Sequence, residues 1–158
     1  MKDEAMAQTD AEHEAPLTAP HHLEYAYKRS VGPVLGRFFA GLRERQICGI
    51  RTRAGRVLVP PSEYDPDTGE ATAEGFVDVG PGGTVTSWTW VGNPRAKQPL
   101  RQPFAYALIK LDGADTPLLH VVDALSESRM RTGMRVRPRW RSETKGEIAD
   151  IVCFEPEV

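Results

Sequence analysis

Four arginines, Arg135, Arg137, Arg139 and Arg141, recur at every second position of one short segment. In a β-strand such residues share one face, and Met134, Val136, Pro138 and Trp140 take the other. Guanidinium groups recognise phosphates and carboxylates through paired hydrogen bonds. Arg129 and Arg131 lie just before them. A second basic stretch, VGNPRAKQPLRQP, holds Arg95, Lys97 and Arg101. The runs on either side carry Trp88 and Trp90, then Phe104 and Tyr106. Each aromatic pair is two residues apart and so falls on one strand face. A barrel face of arginines and aromatics can bind a nucleotide-like ligand or single-stranded nucleic acid. The same pattern also describes a solvated outer face over an aromatic core, and spacing leaves both readings open. The candidate ligand or partner contacts are therefore Arg95, Lys97, Arg101, Arg135, Arg137, Trp88, Trp90, Phe104 and Tyr106.

Groups suited to catalysis are sparse. His120 lies inside the apolar run LLHVV, where a buried structural role is expected. The serines at 62, 87, 126, 128 and 142 sit in no nucleophile-elbow pattern. Cys48 and Cys153 fall in strand-like runs with no flanking group to lower a thiol pKa, so they read as small buried hydrophobes. Two cysteines cannot make a four-thiolate zinc site or a disulfide framework. His13, His21 and His22 fall in or beside the acidic N-terminal segment; the His21-His22 pair could bind metal, but no Cys or acidic ligand pattern supports a site. Gly80-Pro81-Gly82-Gly83 could cradle a phosphate, but no helix follows to present its N-terminus, so a turn between strands is expected. No acid–base pair emerges. The expectation is no catalytic residue and no metal ligand, which weakens the case for a self-sufficient enzyme.

Composition bounds the class. The chain has 158 residues, one domain with a tail at roughly 100–200 residues per domain. Apolar residues make up 40% and charged residues 27%, which excludes wholesale disorder. Gly (14) and Pro (13) together form about 17% of the chain, above the usual ~12%, as in a loop-rich β fold. No stretch approaches the ~18 consecutive apolar residues of a membrane span. The segment MKDEAMAQTDAEHEAP has no apolar region of the kind that marks a secretory signal, so a reducing cytoplasm is the expected compartment. Charge is uneven although the net is −2. Residues 1–33 carry a net of −3 and residues 83–141 a net of +6. A local excess of that size suggests an anionic partner: phosphate, carboxylate or nucleic acid.

The chemistry-bearing residues need elements to hold them. Residues 1–21 are acidic and nearly free of large apolar groups, so they read as a disordered tail. Residues 22–45 read as helices. HLEYAYKRSV looks helical, Gly32-Pro33 breaks the chain, and Val34, Leu35, Phe38, Phe39 and Leu42 then mark one face of a second helix. Short β runs follow at Ile47–Ile50 and Val57–Val59, before Pro60-Pro61 and a polar loop over 62–74. Strand patterns then cover 76–79, 84–91, 104–111, 118–122, 134–140 and 148–154, with a short helix or loop at 123–133. The main strands after the Gly-rich turn suggest a small closed barrel.

From about residue 34 to 155 the chain resembles the acyl-CoA-associated OB-fold family, a domain of unknown function numbered thirty-five. The residues that carry the resemblance run in order. They are Phe38-Phe39 with Gly41-Leu42; Gln46 to Ile50; Gly55 followed by Pro60-Pro61; Asp65-Pro66 with Gly69; Gly80 to Trp90; Pro103 to Leu111; and Gly133-Met134-Arg135-Val136. No one motif is specific; their order and spacing carry the match. The resemblance implies a mainly β fold: N-terminal helices over 22–45, a zinc-ribbon-like region over 46–74, and a five-stranded OB barrel over 75–158.

One departure stands out. The family's ribbon has two Cys-x-x-Cys knuckles, and the corresponding positions here are Arg51 and Ala54, then Asp65 and Thr68. Zinc needs soft or borderline ligands in a tetrahedral array, so a degenerate ribbon without zinc is expected. The resemblance implies a partner subunit without catalytic residues. Relatives associate with thiolase-superfamily proteins, including lipid-transfer-type thiolases and steroid side-chain aldolases, and help form an acyl-CoA channel there. The implied assembly is a hetero-oligomer of two plus two, with acyl-CoA as its ligand, no resident cofactor and no membrane. Two other functions are weighed against it: a single-stranded nucleic-acid binder, which the net charge of −2 opposes, and a stand-alone acyl-CoA carrier.

Overall fold

The computed structural model describes residues 18–28, 30–72 and 75–157. Its first regular element is α1, Gly32–Arg43. Pro33 sits in the first turn, where a missing N–H costs nothing. Val34, Phe38 and Leu42 recur at i, i+4 and i+8 and are buried. The helix ends where Arg45 turns left-handed at φ 60°, and Gln46 N–H donates back to the Gly41 carbonyl at 2.9 Å.

Two β units follow. The ribbon sheet has β1 (Ile47–Arg51) at its centre, β2 (Val57–Leu58) on one side and β3 (Phe76–Val79) on the other, all antiparallel. The barrel comprises β4 (Gly83–Val91), β5 (Phe104–Leu111), β6 (Leu118–Val122), β7 (Arg135–Trp140) and β8 (Ile151–Pro156). It closes in the order β4-β5-β6-β8-β7. Closure leaves no free edge around most of the ring. The exception is the seam between β6 and β8, which pair in parallel only at Val122 and Phe154. Val85, Ile109, Leu111, Val136, Ile151 and Phe154 fill the barrel, and Phe38 and Leu42 of α1 join the same core. Side chains of the β5–β6 turn fasten the ribbon to the barrel. Asp115 accepts from Val57 N–H at 2.8 Å, and Thr116 accepts from Val59 N–H at 2.7 Å.

Two sequence expectations are corrected. The described residues of 22–31 form no helix, so one helix stands where helices were expected. Leu23, Tyr25 and Tyr27 alternate rather than forming a helical stripe, and they stay largely exposed. A ten-residue segment with no packed face cannot offset the cost of nucleation. The last strand also begins later than expected: residues 148–150 form a 3-10 turn and β8 starts at Ile151. The reading of 1–21 as a disordered tail falls mostly on residues 1–17, outside the described residues; residues 18–21 are exposed.

Asp150 explains the late start. It is fully buried, and its carboxylate accepts from the backbone N–H groups of Lys145, Gly146 and Glu147 at 2.6 to 3.0 Å. Burial alone would raise its pKa, but those three N–H groups and the Arg141 charge outweigh it and hold it below 3.8. Asp150→Ala should cost about 2–3 kcal/mol in urea unfolding at neutral pH, the value of hydrogen bonds to a charged group. The folded pKa is depressed, so the contribution is whole above pH 3.8 and lost as pH falls through the folded value. The stability gap between wild type and variant should therefore close in acid; a gap that stays constant would contradict this role.

Candidate functional site

Alternation on β7 holds as the spacing implied: Arg135, Arg137 and Arg139 are exposed, while Val136 is buried. What the spacing did not show is that each arginine has a carboxylate partner within the chain. Arg135 donates to both oxygens of Asp112 at 2.6 Å and to Glu157 at 3.2 Å. Arg137 meets Glu155 at 3.1 Å, directly across the β7–β8 register. Arg139 reaches Asp123 at 3.5 Å, and Arg141 reaches Glu147 at 2.7 Å. The Arg135 hydrogen bond holds the Asp112 carboxyl below its ordinary pKa, and Asp112 in turn raises the guanidinium pKa. The Gly-rich turn makes room for this clasp. A Cβ on Gly82 would stand 2.5 Å from Glu157 Oε1 and 2.8 Å from Arg135 Nη2.

The loop over residues 92–103 is different. Arg95, Lys97 and Arg101 are all exposed, and none has a carboxylate within ion-pair distance among the described residues. The loop is stapled internally. Arg95 N–H donates to the Gln98 side chain at 2.7 Å, and the Arg101 guanidinium donates to the Ala96 carbonyl at 2.7 Å. Leu100 anchors it against Phe104, Val121 and Tyr106. Three cations are thus presented on a braced loop with their charge uncompensated.

The four aromatics do not form one platform. Phe104 is fully buried and meets half-buried Tyr106 edge to face, with ring centroids 5.0 Å apart. Trp88 and Trp90 lie opposite Ala107 and Ala105 and pack against the main core instead. Beside Tyr106 an apolar groove of about 260 Å³ follows the seam between β6 and β8. Pro99 of the cationic loop forms one wall, and Leu119, His120, Ile148 and Ile151 line the rest. His120 packs edge to face on Phe154, and its Nδ1 is buried without a hydrogen-bond partner. Burial lowers its pKa against the opposing effect of the Ile148 and Val121 backbone. Cys48 and Cys153 are buried, and burial pushes both thiols up. The thiols are therefore poor nucleophiles.

Residues 76–141 match the family model described as the ChsH2 C-terminal OB-fold domain. This segment is similar to that OB-fold domain. A solved chain described as the Ltp2-ChsH2(DUF35) aldolase superposes with a TM-score of 0.61 and 19% identity. That likeness spans 83% of this chain and 100% of the other. A DUF35-family protein of unknown function from Sulfolobus solfataricus superposes with a TM-score of 0.58 and 23% identity, over 81% of this chain and 85% of that one. At these identities the likeness is one of fold. No curated protein sequence matches the chain. Among the described residues no helix is long and apolar enough to cross a membrane.

The ribbon positions do not fit zinc. Arg51, Ala54 and Thr68 are exposed, and the Arg51 guanidinium donates to the Gly55 carbonyl at 3.0 Å. Asp65 is buried, but its carboxylate already accepts from Asp67 N–H at 2.9 Å. Its backbone carbonyl accepts from Gly69 N–H at 2.8 Å. A guanidinium, a methyl group, a hydroxyl and one engaged carboxylate do not make a tetrahedral zinc site. No group of three or more His, Cys, Asp and Glu among the described residues is placed to hold a metal ion. The two turns are tied by ion pairs: Arg53 to Glu70 at 3.4 Å, and Arg56 to Asp67. Excess chelator should leave the melting temperature unchanged, whereas molar salt, which screens exposed ion pairs, should loosen the ribbon's amide-exchange protection. A melting temperature that drops on chelation would contradict the reading.

Proposed function

We propose that this chain is a non-catalytic OB-fold subunit that docks on a thiolase-superfamily protein and helps to form its acyl-CoA site. The partner class is a lipid-transfer-type thiolase or retro-aldolase, in a two-plus-two assembly, with steroid side-chain degradation as the setting. The observation that carries the proposal is the braced loop with Arg95, Lys97 and Arg101 on a ChsH2-type barrel. Coenzyme A presents a diphosphate and a ribose phosphate, and uncompensated cations on a pre-ordered loop suit that charge. Arg135 and Arg137 would have to give up carboxylate partners to do the same. They are assigned to holding the barrel rather than to the ligand.

In this reading the chain's residues bind and orient, and the partner supplies the reacting groups. The loop cations hold the phosphates. The apolar groove walled by Pro99 and Tyr106 lies beside them, where a thioester's hydrocarbon would run. The neutralised β7 face weakens the nucleic-acid alternative, which needs those arginines free. The filled barrel interior leaves the stand-alone acyl-CoA carrier alternative no enclosed cavity for its ligand.

The test is co-expression with thiolase-superfamily proteins of the same host, followed by size-exclusion chromatography and assay of CoA-ester cleavage. A stable complex, active only as the pair, is expected. The triple variant Arg95→Ala/Lys97→Ala/Arg101→Ala should still co-purify but raise KM for the CoA ester about tenfold or more, with kcat little changed. Failure of every candidate to form a complex would overturn the subunit reading. An unchanged KM would overturn the loop's role in it.

A further inference from the structure

The loop of residues 92–103 is braced within itself, from Arg95 to Gln98 and from Arg101 to Ala96. Among the described residues, one hydrogen bond leaves it for the barrel: the Gln102 amide donates to Asp123 Oδ2 at 3.3 Å. Gln102 directly follows Arg101, and Pro99 on the same stretch walls the apolar groove. The tether therefore acts where the cations and the groove adjoin.

Asp123 is a fixed anchor. It directly follows β6 and is 8% exposed. Its backbone N–H donates to the Phe154 carbonyl at 2.8 Å, beside the pair that joins β6 to β8. Its Oδ1 accepts from Leu125 N–H at 3.2 Å, and Arg139 donates to Oδ2 at 3.5 Å. Donors on both oxygens set the direction of the carboxylate. A negative charge behind a loop suited to phosphates would repel them. Arg139 offsets that charge, so Asp123 can hold the loop with little cost to an anion.

Position matters because two contacts serve one ligand. A ligand gripped at both ends gains from the second contact only when the two sites keep the spacing it spans. Leu100 holds the loop down on Phe104 and Val121, but apolar contact is non-directional. The hydrogen bond from Gln102 to Asp123 adds direction.

We propose that Asp123 is a positioning residue for ligand binding. Through Gln102 it fixes the register of the cationic loop against the apolar groove. It thereby favours ligands that carry an anionic head and an apolar tail on one molecule over the head alone. The inference rests on the acyl-CoA reading of this loop and groove.

The test is isothermal titration of the full chain with two probes, octanoyl-CoA and adenosine 3′,5′-diphosphate. Wild type should bind both, octanoyl-CoA the more tightly. Gln102→Ala should weaken octanoyl-CoA about fivefold or more, the effect of losing one hydrogen bond to a charged group. It should weaken adenosine 3′,5′-diphosphate by less than about twofold, because the head meets only the loop, whose internal bonds remain. Asp123→Asn, which leaves one donor facing another, should behave as Gln102→Ala does. Adding Gln102→Glu to Asp123→Asn reverses the bond at unchanged total charge and should restore octanoyl-CoA affinity. A merely structural role would lower the melting temperature and leave the ratio of the two affinities as it was. Equal losses for both probes in Gln102→Ala, or no loss, would overturn the inference and leave the loop's role in binding standing. So would a reversed pair that melts as wild type does yet stays weak. A wild type that binds neither probe, or binds octanoyl-CoA no more tightly than the diphosphate, would overturn the acyl-CoA reading and the inference with it.

Discussion

The arginines of β7 are pinned by carboxylates of their own chain, and much of the architecture follows from that. Arg135 ties Asp112, at the end of β5, to Glu157, just past β8. It does so where β4 and β7 share only two register pairs, so side chains reinforce the shortest antiparallel junction of the barrel. Each of these pairs lies at the surface and is individually weak, but a guanidinium held bidentate has a fixed direction. The Gly82 backbone must pass close beneath it, which explains the Gly-rich turn between ribbon and barrel. The comb of positive charge is thus part of the fold, and the charge left uncompensated sits in the loop between β4 and β5.

Most of the barrel was legible because its signals are local. β3, β5 and β6 match the alternating and β-branched runs at the residues expected, and α1 follows from Pro33 and the spacing of Val34, Phe38 and Leu42. The misreadings are tertiary. HLEYAYKRSV has helix formers, but its apolar residues alternate and have no surface to cover within the chain, so propensity had nothing to support it. The start of β8 moved because a buried Asp150 collects three backbone donors into a tight turn. At the candidate site, the arginine face was legible but its partners were overlooked. Glu155 and Glu157 alternate just as Arg135 and Arg137 do, and a strand of alternating acids beside one of alternating bases is a readable cross-strand signal. Asp112 and Asp123 come from loops whose proximity only the closed barrel creates. The aromatic pairs are separated by register: Trp88 and Trp90 pair with Ala107 and Ala105 on the core face, whereas Tyr106 pairs with Thr89 on the other face and borders the groove.

The ribbon shows how a small sheet persists when its turns cannot chelate. Arg53–Glu70 and Arg56–Asp67 join the same two turns that a metal would bridge. The barrel adds Asp115 and Thr116 as hydrogen-bond anchors, and α1 covers the sheet with Val34 against Ile50 and Leu58. The ribbon therefore shares its stability with the rest of the domain.

The central claim is that anionic ligand meets the loop and not the arginine comb. The direct measurement is amide chemical-shift mapping of the isotope-labelled chain titrated with adenosine 3′,5′-diphosphate, the phosphate-bearing end of coenzyme A. Shifts are expected at Arg95 to Arg101, while the amides of Arg135 to Arg141 stay in place. Shifts centred on β7 with a silent loop would contradict it, because they would show that phosphate displaces Asp112 and Glu155 from their arginines.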